Sequence, residues 1–192
     1  WPSVRARLGE YRNAVKRMDE WSDYDGLHTL LGAPAAEFTL SERYTTKSMR
    51  SMGRVALLAT RASELALVNA GLAGDPLVKS GHLGIAYGSS AGTPKAICDF
   101  GLMLSEKSTK GINATTYIKM MGHTAPVNLG VFLGVTGRII TTSSACTSGS
   151  QGIGYAYETI RAGHQRAMIA GGAEELCVTE VAVFDTLFAT SV

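Results

Sequence analysis

The chain has 192 residues, 45% hydrophobic and 18% charged, with 18 Lys and Arg against 16 Asp and Glu for a formal net charge of +2. This composition and a mean hydropathy of +0.09 exclude a disordered polyelectrolyte. No run approaches the roughly 18 apolar residues of a membrane helix, and a charge so near neutrality leaves no footprint for nucleic acid. Three cysteines, Cys98, Cys146 and Cys177, are odd in number and widely spaced. They fit neither a disulfide framework nor a zinc site, and point to a reducing, cytoplasmic setting. The chain starts at Trp1-Pro2-Ser3 and stops at Ser191-Val192 in mid-pattern, so a piece of a longer polypeptide is expected.

Val4, Leu8, Tyr11, Val15 and Met18 recur at helical spacing and predict a first helix, with Arg5, Arg12, Lys16 and Glu20 off its apolar face. From Asp19 to Thr39 the pattern dissolves into a loop around Gly26, Gly32 and Pro34. A long helix is expected from about Thr46 to Gly71, the glycine serving as its stop. Met52, Val55, Ala56, Ala59, Ala62, Ala66 and Ala70 fall on one side of it, while Lys47, Arg50, Arg54 and Arg61 form a basic stripe on the other. No acidic residue between Arg43 and Arg61 offsets that stripe. Leu57, Leu58, Leu65 and Leu67 make the later turns apolar nearly all round, which predicts burial there. Further strands are expected at Leu83 to Tyr87, Arg138 to Thr142 and Ala167 to Ala170. Helices are expected from Pro94 to Glu106, over 115–133, and from the turn at Ala145-Cys146-Thr147 to Gly163. Short apolar strands alternating with helices predict α/β layers around a mainly parallel sheet.

Two nucleophiles compete. Gly88-Ser89-Ser90-Ala91-Gly92 matches G-x-S-x-G between a strand and a helix, which would make Ser90 a serine-hydrolase nucleophile with Asp99 and His123 or His164 as partners. The bland alternative is a tight turn whose glycines permit close packing. In Thr141-Thr142-Ser143-Ser144-Ala145-Cys146-Thr147-Ser148-Gly149, a cysteine stands between a strand and a helix N-terminus. The partial positive charge there favours thiolate, and free backbone N–H groups can receive an oxyanion when a thioester is attacked. Small neighbours leave room for a substrate. Cys98 and Cys177, lacking such a setting, are expected to be buried small apolar groups. Gly149, Gly152 and Gly154 run G-x-x-G-x-G, not the dinucleotide order, with no acidic residue at the ribose spacing.

The run from Ser143 to Gly154, continuing to Ala170-Gly171-Gly172-Ala173-Glu174, resembles the β-ketoacyl-acyl carrier protein synthases of the elongating I/II type. So do Met49-Arg50-Ser51-Met52, Gly84-Ile85-Ala86-Tyr87-Gly88 and Phe184-Asp185. The resemblance implies a thiolase-like fold, layered α/β/α/β/α. Residues 1–192 would make up most of its N-terminal half-domain, incomplete at both ends. It implies a decarboxylating condensation in fatty acid biosynthesis, with Cys146 as the acyl-accepting nucleophile and its N–H as one half of the oxyanion hole. Acyl- and malonyl-loaded acyl carrier protein would be the partner, docking on Lys47 and Arg50. It also implies a homodimer paired through the strand Arg138 to Thr142, with no cofactor and no metal. The family's two catalytic histidines, its lysine and its second oxyanion donor belong to the other half, and none of His28, His82, His123 or His164 sits in a matching motif. Ser90 falls at a turn that is structural in this family. A carrier-protein-binding fragment without activity is the non-enzymatic alternative.

Overall fold

The computed structural model describes residues 2–191. Its elements in chain order are α1 (Pro2–Gly9), β1 (Lys16–Arg17), β2 (Leu31–Gly32), α2 (Arg54–Asn69), β3 (Leu83–Gly88), α3 (Pro94–Glu106), α4 (Ala114–Met120), α5 (Thr124–Leu133), β4 (Ile139–Thr141), α6 (Ser148–Arg161), β5 (Ala167–Gly172) and α7 (Val178–Thr186). They form two compact units, residues 2–39 with 176–191, and residues 40–175. Among the described residues, no helix is long and apolar enough to cross a membrane.

In the unit of residues 40–175, β3 lies between β4 and β5 and runs parallel to both. Ile85 stands opposite Ile139 on one side and Ile169 on the other. All of β3 is buried, as its short apolar run predicts. Successive side chains of a strand point to opposite faces. Leu83, Ile85 and Tyr87 join Val55, Ala59 and Leu67 of α2 and Leu129 and Leu133 of α5 in one core. The intervening Gly84, Ala86 and Gly88 keep the other face low, and α6 lies there. A Cβ on Gly152 would come 2.6 Å from the Ala86 carbonyl oxygen, and one on Gly149 3.4 Å from the Gly172 nitrogen. These glycines serve helix-to-sheet contact.

The three strands fall where the apolar runs place them, and Gly71 ends α2 in a left-handed conformation, φ +69°, as expected. Four expectations need correction. The first helix stops at Gly9 and buries none of its residues. Tyr11 takes a left-handed turn, the Asn13 side chain accepts from Val15 N–H, and Lys16–Arg17 pair with Leu31–Gly32 as an antiparallel ladder. The long helix begins at Arg54, not Thr46. Residues 46–51 are consecutive turns, and a Cβ on Gly53 would collide with the Thr93 side chain, so only glycine fits the junction. The later turns of α2 are not buried all round, for Leu65 and Val68 face outward. Finally, 115–133 is two helices. Asn113 opens α4 with a reciprocal cap, accepting from Thr115 and Thr116 N–H while the Thr116 hydroxyl accepts from Asn113 N–H. The break falls at Gly122, whose Cβ would lie 2.6 Å from the Ser89 carbonyl oxygen.

The unit of residues 2–39 and 176–191 centres on buried Trp21, packed over Gly32 beside Met18 and Leu176. In α7, Asp185 is 4% exposed and accepts from His28 N–H at 2.8 Å, His28 Nδ1 at 2.9 Å and the Thr190 hydroxyl at 2.8 Å. The His28 N–H and the Thr190 hydroxyl hold its carboxyl down at about 2.

Candidate active site

β4 delivers the chain to the cysteine. Thr142 N–H donates to the Tyr87 carbonyl at 3.1 Å, continuing the parallel ladder, and the Ser143 hydroxyl donates to the Ser89 carbonyl at 2.9 Å. Ala145 then takes a left-handed conformation, φ +51°, which costs a non-glycine residue about 1–2 kcal/mol. Strain of this kind persists where neighbouring bonds over-determine it. Here they are plentiful. The Thr147 N–H and hydroxyl both donate to the Ser144 carbonyl, at 3.3 and 2.8 Å. The Ser148 hydroxyl accepts from Ser144 N–H at 2.9 Å and donates to the Ala145 carbonyl at 2.7 Å. The Ser144 hydroxyl donates to Gln151 Oε1 at 2.8 Å. At the apex stands Cys146, a free and exposed thiol, directly before the first turn of α6. That turn closes with Gln151 N–H on the Thr147 carbonyl at 2.9 Å. Such a site can carry a covalent acyl group on sulfur.

The other two thiols differ from this, and neither is the buried apolar group expected. Cys98 is exposed, not buried, because α3 turns Pro94 and Ala96 inward and presents position 98 to the outside. Cys177 is half-buried, with its sulfur 3.0 Å from the Thr179 hydroxyl oxygen.

Ser90 occupies a turn already committed to a carboxylate. Glu174, just beyond β5, accepts from the Ser89 hydroxyl at 2.8 Å, from Ser90 N–H at 2.6 Å and, more distantly, from Ala91 N–H at 3.5 Å. A carboxylate thus lies against the backbone N–H groups of this turn, where an elbow serine would have to stabilise an oxyanion. The flanking glycines are steric necessities. A Cβ on Gly88 would overlap the Thr142 carbonyl, and one on Gly92 the Met120 carbonyl. The nominated partners do not converge either. Asp99 lies on α3, His123 precedes α5 and His164 follows α6. Among the described residues, no hydrogen bond joins the Ser90 hydroxyl to a histidine. Glu174 is the residue that sequence reasoning left without a role, and its only local signal is its place after the Gly171-Gly172 strand end.

Lys47 and Arg50 sit exposed on the turns before α2, where Ser51 ties the segment to α5. The Ser51 hydroxyl donates to Asn128 Oδ1 at 2.6 Å, and Asn128 Nδ2 returns to the Ser51 carbonyl at 3.2 Å. The expected unbroken basic stripe is corrected here. Glu64, three residues beyond Arg61, lies 3.2 Å from Arg43 and 3.5 Å from Arg61. Arg43 also stacks 4.8 Å over the Phe132 ring, and the Tyr44 hydroxyl donates to Glu64 at 2.6 Å. Among the described residues, neither Lys47 nor Arg50 is in an ion pair, so the exposed cationic patch is smaller than the sequence implied.

Comparison with known proteins places this geometry. The family described as Beta-ketoacyl synthase, N-terminal domain, matches residues 4–191. A 3-oxoacyl-[acyl-carrier-protein] synthase 1 of Escherichia coli is 29% identical over 190 residues, 98% of this chain and 46% of its own length. One of the same name from Haemophilus influenzae is 32% identical over 157 residues, 79% of this chain and 37% of its own. The crystal structure of a Beta-ketoacyl synthase from Burkholderia phymatum superposes with a TM-score of 0.94 at 51% identity, covering 100% of this chain and 47% of that one. The chain spans about half, or less, of the length of these relatives.

Proposed function

The chain belongs to the β-ketoacyl synthases, as their N-terminal domain, with their thiolase-like fold, and on that premise we propose that its parent polypeptide is a decarboxylating condensing enzyme acting through Cys146. The observation that carries this reading is the exposed thiol at the apex of a strained turn between β4 and α6. Cys146 sulfur attacks the carbonyl carbon of an acyl thioester, and the donor's thiolate leaves. Malonyl-acyl carrier protein then loses carbon dioxide. The electron pair of the broken C–C bond becomes a carbanion on its α-carbon, which attacks the acyl-cysteine. The bond to Cys146 breaks, the sulfur regains a proton, and 3-oxoacyl-acyl carrier protein departs. Dividing one difficult bond formation between two thioester steps is what the covalent intermediate contributes.

The relatives' names carry an acyl carrier protein, and we extend that partner to this protein, with fatty acid biosynthesis in the cytoplasm as its proposed setting. Lys47 and Arg50 offer the unpaired positive charge an acidic carrier would meet. β4 is the outer strand of its sheet, with Ile139 exposed. Such an edge, left open, is an aggregation hazard, and pairing with a second copy covers it in a homodimer. Residues 1–192 constitute most of one half-domain of the condensing fold. The hydrolase alternative is disfavoured by Glu174, which occupies the donors of the Ser90 turn.

The test is the intact mass of the full-length polypeptide after incubation with an acyl-acyl carrier protein thioester, followed by peptide mapping. An acyl adduct at Cys146, absent in Cys146→Ala and retained in Ser90→Ala, is expected. A folded protein that acylates Ser90, or acylates nowhere, removes the condensing mechanism.

A further inference from the structure

Ser148, the first residue of α6, is 4% exposed. Its hydroxyl does not cap the helix it begins. It turns back instead, accepting from Ser144 N–H at 2.9 Å and donating to the Ala145 carbonyl at 2.7 Å, while its own N–H donates to that same carbonyl at 3.0 Å. The Ala145–Cys146 peptide is trans, and the C=O and N–H of a planar trans peptide point in opposite directions. With the carbonyl drawn toward the start of α6 by two donors of one residue, the Cys146 N–H is turned away from the helix, to the exposed side of the apex. Ala145 would not hold this orientation unaided, since a left-handed alanine relaxes readily once its restraints go.

We infer that Ser148 is a positioning residue for acyl transfer: its hydroxyl holds the Ala145–Cys146 peptide in the orientation that offers the Cys146 N–H to the oxygen of a thioester under attack. The inference rests on the reading of Cys146 as the nucleophile. In that step sulfur bonds to the carbonyl carbon and the π electron pair moves onto oxygen, where a fixed N–H stabilises it. The pair returns as the donor's C–S bond breaks, and the departing thiolate takes up the proton that Cys146 gave. Removing the hydroxyl leaves the thiol in place and the Ala145 carbonyl held by the Ser148 N–H alone, which loosens the peptide, so the loss falls on the oxyanion and not on the sulfur. Thr147 lacks this effect, since its hydroxyl holds the Ser144 carbonyl, one peptide earlier.

The experiment compares two reactions of Cys146 in the full-length polypeptide by intact mass. Alkylation by iodoacetamide needs the thiol and no oxyanion donor, whereas acylation by octanoyl-CoA needs both. Ser148→Ala is expected to leave alkylation within about threefold and to slow acylation roughly 10- to 100-fold, a partial loss on the scale of deleting one oxyanion donor. Ser148→Thr, which restores a hydroxyl, is expected to recover acylation to within about threefold of the native rate. Native-like acylation in Ser148→Ala overturns the inference. An equal fall in both reactions overturns it as well, because it marks loss of the fold around the thiol. A native protein that is alkylated but never acylated at Cys146 fails at the earlier reading, before Ser148 is at issue.

Discussion

The turn after β3 shows how one carboxylate decides the chemistry of a motif. Glu174 reaches the Ser89 hydroxyl and the Ser90 N–H at 2.8 and 2.6 Å, and hydrogen bonds to a charged acceptor are among the stronger ones. Nothing in this arrangement uses the Ser90 hydroxyl. Glu174→Ala is therefore expected to destabilise the protein by about 1–3 kcal/mol, the range for stranding donors that were bonded to a charge, while Ser90→Ala stays within about 0.5 kcal/mol, as a surface change does. Denaturant midpoints of the two variants check this, and a Ser90→Ala loss as large as that of Glu174→Ala would contradict the assignment. The same turn reaches the candidate nucleophile's loop, since the Ser89 carbonyl accepts from the Ser143 hydroxyl. G-x-S-x-G was legible as a strand-to-helix turn. Its carboxylate partner, 84 positions away, was not, because no local spacing encodes a contact at that separation.

At the scale of the element, α6 is a helix whose glycines are distributed by what lies beneath them. Gly152 faces the sheet, and a Cβ there would stand 2.6 Å from the rigid Ala86 carbonyl. Gly154 meets nothing within 4 Å. Gly154→Ala is expected to stabilise by about 0.5–1 kcal/mol through helix propensity alone, and Gly152→Ala to destabilise by about 1–3 kcal/mol as the helix is pushed off β3. Thermal melting of the pair gives opposite shifts if α6 lies as described, and shifts of the same sign if it does not. Element types were readable from apolar periodicity, but element starts were not. α2 waits until Arg54 because Thr93 packs on Gly53, and 115–133 breaks at Gly122 because Ser89 crosses it. Both obstacles come from distant chain segments. The first helix failed differently, since helical spacing of Val4, Leu8, Tyr11 and Val15 does not form an element where the turn at Tyr11 and the β1–β2 ladder compete.

At the scale of the molecule, the two units answer to different conditions. Asp185 secures the smaller one, and its carboxyl is lowered to about 2 by the His28 N–H and the Thr190 hydroxyl, from an ordinary value of about 3.9. A folded-state pKa below the unfolded one means stability that is present above the unfolded value and lost as pH falls through the folded one. The smaller unit is thus expected to weaken as pH drops from about 4 toward 2. Hydrogen exchange at the His28 amide should accelerate across that window in the native protein and lose the dependence in Asp185→Asn. Protection unchanged with pH in the native protein would refute the role. The partner proposed for the larger unit would be met through charge. Reversing Lys47 and Arg50 to Glu is expected to raise KM for acyl-acyl carrier protein about tenfold at low salt, with KM for acyl-CoA unchanged. A parallel rise for both substrates would place the effect in the site and not in docking. The pairing of Arg61 with Glu64 takes one member of the expected stripe out of this patch.

The sequence by itself determined the parallel α/β order, the buried central strand, and the cysteine between a strand end and a helix start. Each depends on neighbours within a few positions, through side-chain periodicity and the reach of one turn. The tertiary structure alone decided that Glu174 bonds the Ser90 turn, that Glu64 pairs with two of the cations, that helices begin at Arg54 and Thr124, and that Asp185 clasps His28. These rest on close approaches between segments far apart in the chain, and only the folded backbone sets such distances.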